Sequence, residues 1–283
     1  MAPAVVQVKV GGRRVGVWRF GVFGGWPLIW CHGGLSCGMD AQFLDDAGRR
    51  HGADIVAADR PGIGHSDTWT MRSFVEWSDV VDQLADSLAV GEFAVAGWSG
   101  GGPYALACAA AMPDRVRAVA TVAGMAPLER VRHIFELGLW ADKVLISAAR
   151  LWAPGAGALL RVGRRAPDCV LAWQLSHLAR SGDQAELGPE QSGLRIVFRE
   201  AIGEGVRGMV DEYRRYYGAW GFDLDEVWQS VTIWQGEQDT LVPMSHADRL
   251  ATALPNAVLR VVPSTGHLLP LLVADEIVED LAP

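Results

Sequence analysis

The run "AVAGWSGGGPYALACAA" (residues 94–110) constrains the chain more than any other stretch. Its first half is small and β-branched, as in a buried strand, and its second half is alanine-rich, as in a helix. Between the halves, Gly97, Gly100, Gly101 and Gly102 surround Ser99. Glycines carry a high cost in chain entropy in a stretch that should be core. A sharp reversal accounts for them, because side chains at 97 and 101 would collide in it. Ser99 is then held in a strained conformation above the carboxyl end of a sheet, near a helix N-terminus that favours negative charge. Gly97-Trp98-Ser99-Gly100-Gly101 fits G-x-S-x-G, in the strand-to-helix context that gives the pattern meaning.

The rest of the chain repeats this rhythm. Residues 5–20 read as a hairpin around Gly11-Gly12, and residues 27–32 ("PLIWCH") as a short buried strand ending in Gly33-Gly34. A helix is expected over 39–52, a short apolar run over 53–62 and an amphipathic helix over 73–91. In that helix Phe74, Trp77, Val80, Val81, Leu84 and Leu88 make one apolar stripe. Strand 93–98, helix 102–112 and strand 116–123 follow; later come strand 231–236, helix 244–254, strand 257–263 and helix 271–281. Buried strands alternating with amphipathic helices predict an α/β fold, a mostly parallel sheet covered on both faces, with the opening hairpin as an antiparallel edge. Residues 126–225 break the rhythm and read as a helical insertion, with Trp140, Trp152, Trp173 and Trp220 in it, Trp228 just beyond, and breakers at Pro154, Gly155, Pro167 and Pro189. The expected domains are a core of 1–125 and 226–283 and a lid of 126–225.

The chain has 283 residues, half of them apolar, enough for a large core. A net charge of −8 argues against a nucleic-acid partner. Cys31, Cys37, Cys108 and Cys169 are too few and too scattered for a disulfide framework, and no C-x-x-C pair suggests metal or redox chemistry. No metal and no cofactor are expected. The opening residues hold no signal-peptide pattern, and no apolar run reaches the ~20 residues that span a bilayer. The expectation is a cytoplasmic chain acting on a small molecule.

A serine hydroxyl needs a base. His267, in "VVPSTGHLLP", follows the last strand and lies at the same carboxyl edge as Ser99. His246 falls within an expected helix and is the weaker choice; His133 and His177 lie in the insertion, and His51 sits at a helix end that favours a cation. Asp239, in "WQGEQDTLVP", is the preferred carboxylate to orient the base, with Glu237 as the alternative. The amide of Gly100 is one expected oxyanion donor. The second should come from "HGGLS": Gly34, with Leu35 next in line, and His32 holding the loop. Leu35 and Trp98 are candidate substrate contacts, Trp98 equally a buried residue. Arg161, Arg164 and Arg165 read as a solvated helix end.

"HGG" (32–34), "DRPGIGHSD" (59–67), "GWSGG" (97–101), "GEQDTLVP" (236–243) and "GHLLP" (266–270) stand in the order seen in the α/β-hydrolase superfamily. The chain resembles its lidded branch of serine esterases, haloperoxidase-like enzymes, C–C bond hydrolases and aminopeptidases. The resemblance covers nearly everything except the insertion, and the chain order Ser99, Asp239, His267 fits it. It implies an α/β-hydrolase fold with a nucleophile elbow, a Ser-His-Asp triad and an oxyanion hole. It gives "DRPGIGHSD" a structural role, so none is carried to Asp59, His65 or Asp67. Relatives with aspartate at the elbow, the epoxide hydrolases and haloalkane dehalogenases, are disfavoured by Ser99. "GWSGG" also departs from the Gly-Gly-Ser-Trp-Gly elbow of proline iminopeptidases. "VAGMAP" (122–127) holds no acid where some relatives keep theirs, which favours Asp239.

The expected activity is hydrolysis of an ester-like bond in a small, largely apolar substrate through an acyl-enzyme. The same triad could serve a lactone, amide or C–C bond. A receptor, or a non-hydrolytic acid–base enzyme, could use the same fold.

Overall fold

Gly11 and Gly12, both at positive φ, turn the chain between β1 (Val6–Val10) and β2 (Arg13–Gly21), which pair antiparallel. The computed structural model describes residues 5–138, 140–165, 190–203 and 205–283. β2 runs antiparallel to β4 (Ala53–Ala58), and every later pairing is parallel. With β3 (Trp26–Cys31), β5 (Phe93–Trp98), β6 (Val116–Val122), β7 (Val231–Gly236) and β8 (Ala257–Val262), the eight strands lie in the order β1-β2-β4-β3-β5-β6-β7-β8. The sheet is parallel apart from the opening hairpin, as the strand–helix alternation predicts.

Helices cover both faces. On one, α2 (Glu76–Ser87) and α3 (Gly102–Ala111) pack through Trp77, Leu84, Tyr104 and Leu106. The α2 stripe begins at Phe74, and each such fully buried side chain stabilises by about 1.5–3 kcal/mol. Leu88, the last expected member, is only partly buried. On the other face, α1 (Asp45–His51) contributes Ala47, beside Leu44. The helix expected over 39–52 opens as a 3-10 segment, Gly38–Leu44, and stops at Gly52, which takes the left-handed conformation of a helix cap.

Between β6 and β7 lie α4 (Val131–Glu136), α5 (Trp140–Leu151), α6 (Ala153–Arg164), α7 (Glu190–Ala201) and α8 (Arg207–Tyr216). Ile134, Leu145, Ile146, Leu160, Val197, Met209 and Tyr213 join them to the first core. Trp220 is buried, but Trp152 and Trp228 are exposed. Pro167, Cys169, Trp173, His177 and Pro189 lie outside the described residues. After β7 comes α9 (Met244–Ala253). The last expected helix is two pieces, α10 (Leu269–Leu272) and α11 (Ala274–Asp280), broken where Val273 leaves helical angles. Leu268 and Leu269 anchor the first piece in the loop after β8, while Ile277 and Val278 turn the second onto the sheet.

Candidate active site

β5 ends at Trp98, and Ser99 takes φ 53, a left-handed value that is costly for a side-chain-bearing residue. α3 begins three residues later. The glycines have definite causes. A Cβ at Gly97 would stand 2.3 Å from the Gly101 carbonyl oxygen, and one at Gly101 would stand 2.0 Å from that of Cys31. The turn is thus packed backbone to backbone, and Ser99, partly exposed, is raised above it.

Asp239 and His267 meet in the loops after β7 and β8. Gly236 permits this: a Cβ there would lie 2.1 Å from the Gly266 carbonyl oxygen. The Gln238 amide donates to Thr265 O at 2.8 Å. His267 Nδ1 then lies 2.8 Å from Asp239 Oδ2, with both residues buried. The other carboxylate oxygen accepts the amides of Leu241 and Val242 at 2.8 and 3.0 Å. A carboxylate only accepts, so the proton sits on Nδ1 and Nε2 becomes the basic nitrogen. Trp98, next to Ser99, donates its indole N–H to His267 O at 3.1 Å. Its ring is buried 5.8 Å from the imidazole, and it also covers Gly33.

The loop after β3 reaches the same edge. Gly34 N is 3.1 Å from the Cβ position of Gly100, so these two backbones converge beside Ser99. Leu35 is partly buried at φ 51. The Gly33 amide donates to Asp40, which also accepts from Trp30 and Ser36. Burial raises the Asp40 pKa to about 6 against these donors. His32 Nδ1 donates to Gly33 O, and its Nε2 accepts the Arg60 amide. Burial, then the Arg60 charge, hold this imidazole well below its ordinary pKa, so it stays neutral.

Other candidates lie elsewhere. Glu237 accepts the Ser264 amide in an exposed turn. His246 is buried on α9 with the Ala126 amide on its Nδ1. His133 is buried in α4. His51 contacts Asp275 at the end of α1. Asp59 accepts Trp18 Nε1 and the amides of Gly38 and His65, and Asp67 pairs with Arg14. Arg161 and Arg165 are exposed and, with Arg207, line a surface groove.

Five residues at the site escape sequence reasoning. Tyr213 and Tyr216, on α8, bring their hydroxyls 3.7 and 3.3 Å from the Cβ position of Gly34. Tyr213 donates to Asp142 on α5 and Tyr216 to Glu212, at 2.7 and 2.6 Å. Glu212 pairs with Arg60 in the interior. Burial raises both phenol pKa values and also that of Asp142. The wall facing Gly34 is therefore more polar than the insertion's composition suggests. Sequence offers no local signal for these residues: Glu212 and Tyr216 stand four apart, but Asp211, Arg214 and Arg215 surround them.

The strand order and the turn at Ser99 have the arrangement of an α/β-hydrolase fold. A family model described as alpha/beta hydrolase fold matches residues 27–162. The chain has the α/β-hydrolase fold. It is 26% identical over 249 residues to the pimeloyl-(acyl-carrier protein) methyl ester esterase of Nitrosomonas europaea, covering 86% of each chain. It resembles the bromoperoxidase structure from Bacillus anthracis at TM-score 0.75 and 19% identity, over 99% of this chain and 98% of that one. A thermophilic esterase from Thermogutta terrifontis matches at TM-score 0.72 and 18% identity, over 98% and 96% of the two chains. Among the described residues, no helix is long and apolar enough to cross a membrane, and no group of three or more His, Cys, Asp or Glu is arranged to hold a metal ion.

Proposed function

We propose that the protein is a serine hydrolase that cleaves an ester-like bond in a small substrate through an acyl-enzyme. The observation that carries this reading is the buried 2.8 Å contact between His267 Nδ1 and Asp239, at the sheet edge where Ser99 stands in its strained turn. Ser99 Oγ attacks the carbonyl carbon while His267 Nε2 takes its proton. Asp239 holds the tautomer and stabilises the imidazolium. The amides of Gly34 and Gly100 receive the negative oxygen. His267 returns the proton to the leaving alcohol, and a water it deprotonates then releases the acid. Residues 126–225 act as a lid on a core of 1–125 and 226–283. Leu35 borders the acyl group, and Trp98 supports His267 from beneath. The esterase named among the relatives supports an ester bond.

The test is turnover of p-nitrophenyl butyrate together with fluorophosphonate labelling. Ser99→Ala should lose turnover by about a thousandfold or more and lose the label. Full turnover in Ser99→Ala would rule this mechanism out.

A further inference from the structure

The Arg60 guanidinium is 1% exposed, and the groups around it are specific. Nη1 donates to His32 O at 2.6 Å and Nη2 to Gly33 O at 2.8 Å. Nε and Nη2 donate to the two Glu212 oxygens at 2.8 and 2.9 Å. One side chain thus bridges the loop after β3 and helix α8. The helix is seated where it can do this: a Cβ at Gly208 would stand 2.3 Å from Pro61 O, next to Arg60.

The consequence lies in one peptide unit. Gly33 C=O and Gly34 N–H belong to the same planar group, and in a trans peptide they point in opposite directions. Arg60 and His32 Nδ1 both hold the carbonyl. The Gly34 amide is thereby turned the other way, toward Gly100. Tyr216, one turn beyond Glu212 on α8, donates to Glu212 while its oxygen lies 2.0 Å from the Cβ position of Gly100.

We propose that Arg60 and Glu212 are positioning residues: α8, docked through Glu212, fixes the guanidinium, and the guanidinium presets the Gly34 amide toward the oxyanion. This rests on the hydrolase reading above. A buried ion pair is poor evidence for stability, because an apolar pair of similar volume often stabilises as well. What an apolar pair lacks is direction, which an amide aimed at a developing charge requires. The lid and the oxyanion site are then one mechanical unit, so activity depends on how α8 sits.

The test compares Glu212→Gln with the wild type. Glutamine keeps the size and an acceptor but gives up the charge and one Arg60 contact. The expected result is a kcat lower by about ten- to a hundredfold with KM within about twofold. Affinity for a trifluoromethyl ketone, whose adduct carries the tetrahedral oxyanion, should fall by the same factor as kcat/KM. Unchanged kcat in folded protein, or a loss in KM alone, overturns the proposal. Should Glu212→Gln fail to fold, the crystal structure of the wild-type ketone adduct decides. Its oxygen should be bonded to Gly34 N, with Gly33 O still on Arg60. An adduct oxygen that bypasses Gly34 overturns this inference and leaves the hydrolase reading standing. Absence of any Ser99 adduct, with activity retained in Ser99→Ala, overturns both.

Discussion

The indole N–H of Trp98 donates to the backbone carbonyl of His267, 3.1 Å away, so the residue beside Ser99 holds the loop that carries the imidazole. The bond joins the end of β5 to the loop after β8 across the intervening β6 and β7. Trp98→Phe keeps an aromatic ring and removes the donor. Loss of one buried hydrogen bond should cost about 1 kcal/mol of stability. Because the bond fixes His267 and touches no substrate, kcat should fall several-fold while KM holds. Steady-state kinetics and a thermal melt on one preparation check this, and an unchanged kcat would show that His267 needs no such tether.

Asp239→Asn probes the imidazole from its other side. The asparagine oxygen can still accept the Leu241 and Val242 amides, so the loop should keep its shape. Its NH2 then faces Nδ1, two donors cannot share that contact, and the imidazole proton moves to Nε2. The base is lost without loss of fold: kcat should drop by about 10⁴, with the melting midpoint little changed. Glu237→Gln is the control, because Glu237 caps an exposed turn through the Ser264 amide. It should stay within about twofold of the wild type, since surface changes away from the site are usually small in effect. The opposite ranking would move the orienting acid to Glu237.

These partners were legible in the chain because their signals are local. The strand before Ser99, the glycines around it and the alanines after it lie within one short run. Asp239 and His267 each follow a recognisable strand. The ion pair of Arg60 with Glu212 was not legible: its members are 152 residues apart, and neither position has an unusual neighbourhood. Only the seating of α8 against the loop after β4 makes them a pair. The same holds for the Tyr216 hydroxyl at Gly100, since a segment in which Arg, Asp and Glu stand among Met, Val and Tyr does not say which of its polar groups meets the sheet edge. The split of the last helix at Val273 was hidden because its residues suit one continuous helix as well as two.

Gly138 has a similar tertiary cause. A Cβ there would lie 1.4 Å from the Thr240 carbonyl oxygen, and the Gly138 amide donates to Leu241 O at 2.9 Å. The helical segment thus rests on the loop that carries Asp239. The obstacle is backbone, which cannot rotate aside. Gly138→Ala must displace either the loop or the segment, at about 2–4 kcal/mol. Its melting midpoint should fall by about 5–10 °C, and kcat should fall with it. Among the described residues, nothing lies within 4 Å of the Cβ position of Gly163 on α6. Gly163→Ala should therefore be neutral or stabilising by up to about 1 kcal/mol. Equal melting curves for the two variants would show that the contact at Gly138 yields easily.

His246 sets part of the response to acid. It is fully buried, and its Nδ1 accepts the Ala126 amide at 3.0 Å, so its proton sits on Nε2, an atom with no hydrogen-bond partner among the described residues. Burial first, and then the charge of Arg249, push its pKa from 6.5 to about 3. Between those values the unfolded chain binds a proton that the folded chain refuses, so stability falls as pH falls. The slope is about 1.4 kcal/mol per pH unit within the window. Asp40 and Asp59 work in the opposite sense. Burial raises each from 3.8 to about 6, so the folded chain holds their protons longer and gains stability as pH falls through that range. A pH–stability curve of the wild type alone therefore mixes opposing contributions. His246→Gln separates them, because a glutamine oxygen can accept the Ala126 amide and does not titrate. In urea unfolding, the stability of the wild type relative to this variant should fall by about 2 kcal/mol between about pH 7 and pH 5. A difference that stays constant across that range would show that His246 takes up its proton without unfolding.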